Sequence, residues 1–467
     1  MARGGRREAV AIALARPSGL TGRMDFARRA WDHSFPFDPI VRTLMDTDFY
    51  KFLMAQMIQE KHWNDQARFT LVNRTRSVRL AEIIDLGELR EQLDHVRSLR
   101  FQPNELIWLR GQTFYGQEGI FGAHFIDFLR RLRLPDYELS ADRETGQIRF
   151  ETEGRWCEAS FWEIPLLAIV NEMRNRAVLA KMGRSRLDIL YARAKVKLYA
   201  KLERLKALEG LNLSDFGTRR RHAFLWQEHC VLTAREVLGD AFTGTSNAYL
   251  AMKHGLEAKG TNAHELPMAL AALCPPDDDE CLRESQYKVL LQWQNTYHGE
   301  LLVFLPDTYG TTQFLARAPQ WVSNWKGARP DSKDPIAAGE ELIAFWQGRG
   351  LDPAEKLIIF SDGMDVALPG EAAGGSDIPS VHAHFHGRVL TGFGWGTMLT
   401  NDFRACDPAD GEALKPLSLV CKLTAANGQP AVKLSDNYAK AMGPPSEVER
   451  YRRVFGMEGT DERPTLV

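Results

Sequence analysis

Between residues 211 and 400 the chain repeats one rhythm: a short apolar or β-prone run, then a small or glycine-rich polar turn, then helical text. Leu211–Phe216 precedes Gly-Thr-Arg-Arg, Ala241–Thr243 precedes Gly-Thr-Ser-Asn, and Leu301–Leu305 precedes Pro-Asp-Thr. Trp321–Trp325, Leu357–Phe360 and Val389–Gly392 continue the series. Strands that alternate with helices form parallel βα units. Six or more units in about 200 residues predict a closed α/β barrel rather than a small open sheet, with the chemistry in the loops after the strands.

The flanks read differently. Phe49, Leu53 and Met57 recur at helical spacing after the N-cap types Asp46 and Thr47, which predicts a helix over 47–60. Phe69–Thr75, Gln147–Glu151 and Arg155–Glu163 read as strands of an α+β unit over 36–165. Two long helices follow, from Pro165 to Glu209, and open a catalytic region spanning 166–410. In the C-terminal segment, 411–467, Asn427-Gly428 between two β-type runs is a hairpin signal, and this hairpin is expected to complete the N-terminal unit. Residues 1–35, rich in arginine from Arg3 to Arg29, read as an extension, with a targeting segment as the alternative reading.

Charge and cysteines narrow the function. Lys plus Arg number 59 against 61 Asp plus Glu, so a net charge of −2 gives no bulk attraction to nucleic acid or anionic membrane. No apolar run approaches the roughly 20 residues of a membrane span. The six cysteines form no C-x-x-C pair, and the expectation is reduced thiols in a cytoplasmic protein, without a disulfide framework or zinc site.

Several turns carry candidate chemistry. Gly394-Trp395-Gly396-Thr397, after a late strand, lets backbone N–H groups approach a phosphate. Arg219, Arg220 and Arg221 stand at a strand-to-helix turn, where cations oppose the helix dipole unless an anion is present. Arg329-Pro330-Asp331-Ser332 and Ser361-Asp362-Gly363 place carboxylates directly after strands, where they suit ribose hydroxyls, Mg²⁺ or plain turn capping. His264 beside Glu265 is a candidate nucleophile with a candidate orienting group, or a satisfied polar pair.

Taken jointly and in this order, with Thr-Asp-Phe-Tyr-Lys at 47–51, Leu-Pro-Asp-Thr-Tyr-Gly-Thr at 305–311 and Lys-Leu-Ser-Asp at 433–436, these segments resemble nicotinate phosphoribosyltransferase in its long bacterial form. The resemblance implies an irregular α/β barrel, type II phosphoribosyltransferase-like, paired with a small N-terminal domain. It also implies NAD salvage: nicotinate and 5-phosphoribosyl 1-diphosphate give nicotinate mononucleotide and diphosphate, coupled to ATP hydrolysis with Mg²⁺. By the same resemblance His264 becomes a phosphohistidine, and Phe216 and Tyr50 sandwich the pyridine ring, Tyr50 reaching in from the second chain of a homodimer with shared sites. Arg329 and Thr261 contact nicotinate, Arg219, Gly394, Gly396 and Thr397 contact phosphate, and Asp331 and Asp362 lie near ribose and metal. Lys333 departs from the glycine usual in the family. Nicotinamide phosphoribosyltransferase is the nearest rival reading; it carries aspartate where Ser246 stands, and serine suits the carboxylate of nicotinate. A catalytically dead homologue that binds pyridine nucleotides is the other.

Overall fold

The computed structural model describes residues 37–113, 119–371, 373–409 and 411–463; the arginine-rich segment from Arg3 to Arg29 lies outside them. The catalytic region is built on a six-stranded sheet of β4 (Leu213–Asp215), β5 (Phe242–Thr245), β6 (Val303–Phe304), β7 (Gly327–Ala328), β8 (Leu357–Phe360) and β11 (Leu390–Trp395). The strand order is β5-β4-β11-β8-β7-β6 and every pairing is parallel. The edge strands β5 and β6 do not pair with each other. The segment 257–262 spans the gap instead: Lys259 N donates to Thr245 O at 2.9 Å, and Asn262 Nδ2 to Val303 O at 3.2 Å. That substitution of a loop for a ladder makes the barrel irregular.

Trp321–Trp325, expected as a strand, lies instead in a 3₁₀ turn over Gln320–Asn324 that follows Pro319, and the strand is the next pair, Gly327–Ala328. Bulk explains the shift. A Cβ at Gly327 would lie 1.9 Å from Leu357 O, so the crowded position next to β8 accepts only glycine.

A second sheet is antiparallel, in the order β13-β12-β1-β3-β2. Its strands are β1 (Gln66–Asn73), β2 (Tyr137–Asp142), β3 (Gln147–Arg155), β12 (Leu419–Ala426) and β13 (Gln429–Pro430). The Asn427-Gly428 turn has φ of 47° and 77°, the two positive values that a tight hairpin needs, and β12 pairs with β1 from Ala67↔Ala426 to Asn73↔Leu419. The chain's C-terminal part thus completes its N-terminal sheet. β9 (Met364–Asp365) and β10 (Ser376–Asp377) form a small parallel pair. Arg155–Glu163, expected as a strand, turns helical at Trp156, because buried Trp156, Cys157, Phe161 and Trp162 need a helical face rather than a two-sided strand. The helices Glu163–Leu179 and Arg184–Lys206 follow as expected, and one continuous apolar core runs beneath both sheets.

Cysteine pairing departs from expectation. Cys274 and Cys281 form a disulfide, because the turn at 275–278 reverses the chain and sets their Cα atoms 5.8 Å apart; Cys157, Cys230, Cys406 and Cys421 are buried free thiols. Among the described residues no helix is long and apolar enough to cross a membrane.

His222, at the end of the arginine turn, stacks on Phe403 at 3.9 Å and meets Tyr191 Oη at 3.0 Å. Burial, aided by Arg174, pushes its pKa down to about 3. The folded state therefore resists protonation: the stability this neutral ring contributes is complete above the unfolded value near 6.5 and declines as pH falls toward 3. Lowering the pH from 7 to 5 should remove about 2 kcal/mol through this residue, and urea denaturation of His222→Gln should show a correspondingly shallower pH dependence over that interval.

Candidate functional site

A cavity of about 200 Å³ opens where the C-terminal ends of β4, β7, β8 and β11 face the antiparallel sheet. Phe216, Arg329, Ser361 and Gly396 each follow one of those strands by a single residue and line it. Arg74 and Lys422 enter from the antiparallel sheet and its flank, with Lys433 and Lys440 from the chain after the hairpin.

The wall so formed is strongly cationic. Arg74, Arg219, Arg220, Lys422, Lys433 and Lys440 all face the cavity. Burial, reinforced by the neighbouring cations, lowers the pKa of Lys422 and Lys433 and brings Arg220 down to about 10. Local acids compensate only in part: Lys440 pairs with Asp362, while Arg219 lies 3.6 Å from Glu163 and 3.7 Å from Asp48. Cations crowded in this way are relieved by an anionic ligand. The third arginine of the turn is different. Arg221 is fully buried and holds Asp46 bidentately at 2.6 and 2.7 Å, so it is structural.

His264 precedes the helix Glu265–Ala272 and lines the cavity. Its Nδ1 shares a 2.9 Å hydrogen bond with Thr308 Oγ1. Nε2 has no hydrogen-bond partner in good geometry, although it lies 3.3 Å from Asp331 Oδ2 and 3.5 Å from Asp307 Oδ2. Burial, with the push of Lys433, holds the ring below its ordinary pKa against the pull of the two aspartates, so at neutral pH the imidazole is neutral. A neutral ring with one nitrogen anchored and the other free of a donor is disposed to act as a nucleophile. Asp331 is held well below the usual carboxylate range: burial alone would raise it, but Arg329 and His264 outweigh that. Burial and the charge of Asp331 raise Asp362.

Arg329 is braced by Asn262 O at 2.8 Å and Ser361 Oγ at 3.3 Å. Phe216 and Tyr50 both line the cavity of one chain. Tyr50 Oη donates to Glu163 Oε2 at 3.0 Å, which holds this tyrosine in the cavity of its own chain. Gly396 and Thr397 line it as well.

Four expected positions take other parts, Glu265 from within the lining and the other three from outside it. Glu265 does not orient His264: its two oxygens are taken by Lys51 Nζ at 2.6 Å and Trp156 Nε1 at 2.7 Å, and Thr308 orients the ring. Ser246 is buried outside the lining and donates to Asp48 Oδ1 at 2.7 Å, so a carboxylate at 246 would face Asp48. Thr261 is also outside the lining, its hydroxyl turned to Asn262 O. Gly394 supports rather than touches: a Cβ there would lie 2.3 Å from the Phe216 ring. Lys333 turns away to Glu341 and Thr312, and its φ is not positive, so nothing in the backbone there demands glycine.

Residues 211–459 match the nicotinate phosphoribosyltransferase (NAPRTase) family, and residues 45–171 match the nicotinate phosphoribosyltransferase (NAPRTase) N-terminal domain. The chain belongs to the nicotinate phosphoribosyltransferase family. Solved structures agree. The nicotinate phosphoribosyltransferase from Vibrio cholerae is 29% identical with a TM-score of 0.76, the match covering 92% of this chain and 96% of that one. The enzyme from Porphyromonas gingivalis is 26% identical with a TM-score of 0.74, covering 89% and 100%. Within a nicotinate phosphoribosyltransferase the cavity's two halves, aromatic and cationic, acquire a common purpose.

Asp307, Thr308, Arg74, Lys422 and Lys440 were not singled out from the sequence. Asp307 and Thr308 stand in the Leu-Pro-Asp-Thr-Tyr-Gly-Thr segment, whereas the cations come from strands and connections without a local signature. Gly394→Ala tests the aromatic half. The added methyl must displace Phe216, and overpacking of about 1–3 kcal/mol should appear as a nicotinate KM raised at least fivefold, read by steady-state kinetics, with kcat reduced less.

Proposed function

We infer that this chain joins nicotinate to the phosphoribosyl group of 5-phosphoribosyl 1-diphosphate, giving nicotinate mononucleotide and diphosphate for NAD biosynthesis. The single observation that carries the reading is the convergence, in one cavity, of an aromatic pair, a neutral histidine and a crowded cationic wall. Phe216 and Tyr50 hold the pyridine ring so that its nitrogen lone pair lies in line with C1 of the ribose. As that N–C bond forms, the C1–O bond to diphosphate breaks, and the developing charge is met by fixed cations. The pyridine nitrogen arrives unprotonated, so no general base is required.

ATP serves as a second substrate in this reading. His264 Nε2 attacks the γ-phosphorus, the bond to ADP breaks, and the phosphohistidine later yields phosphate to water. Mg²⁺ fits the donor set at Asp331 and Asp362: the charge of Asp331 raises the Asp362 carboxyl, and a divalent cation would relieve that repulsion. Among the described residues no cluster of three or more His, Cys, Asp or Glu forms a ready cage, which suits an ion carried in on phosphate oxygens. When bound, Mg²⁺ supplies neutralisation of the departing diphosphate. Assembly as a homodimer and a cytoplasmic setting complete the proposal. Ile189, Val196 and Tyr199, left exposed along the helix Arg184–Lys206, support a partner surface.

The test is product analysis with nicotinate or nicotinamide, each with phosphoribosyl diphosphate, Mg²⁺ and ATP. Nicotinate mononucleotide should form at least tenfold faster than its amide counterpart; equal rates, or none, contradict the reading. His264→Asn should lose acid-labile phosphate incorporation and ATP hydrolysis while keeping a weak, ATP-independent transfer. A variant that still hydrolyses ATP in step with product refutes the phosphohistidine.

A further inference from the structure

The chain from Gly260 to Glu265, which carries His264, rests on the Tyr50-Lys51 pair at both of its ends. At the first end a Cβ on Gly260 would lie 2.6 Å from Tyr50 N, so the two backbones are in direct contact. At the second, Lys51 Nζ binds Glu265 Oε2 at 2.6 Å. The Lys51 side chain is wholly buried, and its ammonium also reaches Glu163 Oε2 at 2.6 Å and Ser160 Oγ at 3.0 Å. Glu163 Oε2 is the same oxygen that accepts from Tyr50 Oη.

Lys51 therefore touches, through one carboxylate each, the tyrosine of the aromatic pair and the residue directly after the histidine. Removing a partner from such a buried cluster leaves a carboxylate uncompensated, so its members hold position together. Burial works against the charged ammonium, but Glu163 and Glu265 more than reverse this and keep it charged.

We propose that Lys51 is a positioning residue that couples the two substrate steps, so that phosphorylation of His264 is felt at Tyr50 as tighter binding of nicotinate. The proposal rests on the ATP-coupled reading above. A phosphoryl group on Nε2 adds negative charge beside Asp307 and Asp331, and the ring must shift away from them. The backbone of His264 carries Glu265 with it, Glu265 pulls on Lys51, and Lys51 moves against the Glu163 carboxylate that fixes Tyr50. Linkage makes the effect reciprocal: bound nicotinate favours the phosphorylated histidine by the same factor.

The experiment compares the nicotinate KM with and without ATP, alongside acid-labile phosphate on His264, in the wild type, Lys51→Met and the double variant Lys51→Met/Glu265→Gln. The double variant removes the Glu265 charge that Lys51→Met strands and keeps an acceptor for Trp156, while Glu163 retains Arg219 and Tyr50, so it remains informative where the single variant misfolds. The wild type should show a KM about tenfold lower with ATP. Both variants should still take up phosphate while that ratio falls to within about twofold of one, and Glu265→Gln alone should lie between. A merely structural lysine would change KM equally in both conditions and leave the ratio intact, which would overturn the proposal. Loss of phosphate uptake in both folded variants would also overturn it, by placing Lys51 in the phosphorylation step itself. A wild type that is phosphorylated without any change in KM overturns the coupling alone, whereas a wild type that takes up no phosphate overturns the ATP-coupled reading and the coupling together.

Discussion

Arg221 and Asp46 form a bidentate pair with neither side chain open to water, and Asn247 Nδ2 donates to the same Asp46 at 2.8 Å. Removing one member of such a pair costs about 3–5 kcal/mol, because the other charge stays buried and unpaired. The pair fixes the start of the N-terminal domain on the turn after β4. Once it is set, sequence neighbours do the rest. Arg219 and Arg220 precede Arg221 and face the cavity, while Asp48 and Tyr50 follow Asp46, Asp48 lying against Arg219 and Tyr50 lining the cavity. A hydrogen bond from Phe49 N to Ser246 O and the Ser246–Asp48 contact extend the same docking. The site is therefore a property of the junction between two domains rather than of the barrel alone.

The junction also explains where local rules are broken. Ser435 adopts φ of 71° in the segment that delivers Lys433, and Leu434 N and Ser435 N both donate to the backbone oxygen of Thr308, the residue that anchors His264. A buried non-glycine residue in the left-handed region costs on the order of 1–3 kcal/mol and persists only where the surroundings over-determine it. Asp436, next in line, takes both the N–H and the hydroxyl of Thr311, and burial with the charge of Asp307 pushes its carboxyl up to about 7. These departures concentrate around the histidine, as expected when strain is retained for positioning.

Much of this was legible in the sequence. The βα rhythm gave the barrel, since strands of two to six residues still carry their apolar signal, and Asn427-Gly428 gave the hairpin because that dipeptide tolerates two positive φ values. Phe216, His264, Arg329, Asp331, Asp362, Gly396 and Thr397 do come together around one cavity. Contacts between distant segments were not legible. The hairpin's place on the N-terminal sheet was expected, but nothing near Lys422 in the chain reports the register on β1 that carries it to the cavity, and nothing near Glu265 reports that it is claimed by Lys51, over two hundred residues away. Ser246 and Thr261 sit in the right loops, but side-chain direction depends on the partner domain. The disulfide was missed because a seven-residue spacing says nothing until the turn between two helices is known.

The central claim is that one cavity at this junction holds the pyridine ring between aromatic side chains and the phosphate against the glycine turn after β11. A crystal structure of the protein with nicotinate mononucleotide bound tests it most directly. The account predicts the ring between Phe216 and Tyr50 and the 5′-phosphate beside Gly396 and Thr397, with the cationic wall of Lys422, Lys433 and Arg220 left facing the space where diphosphate departs. Nucleotide bound away from Phe216, or with its phosphate remote from the β11 turn, would contradict it.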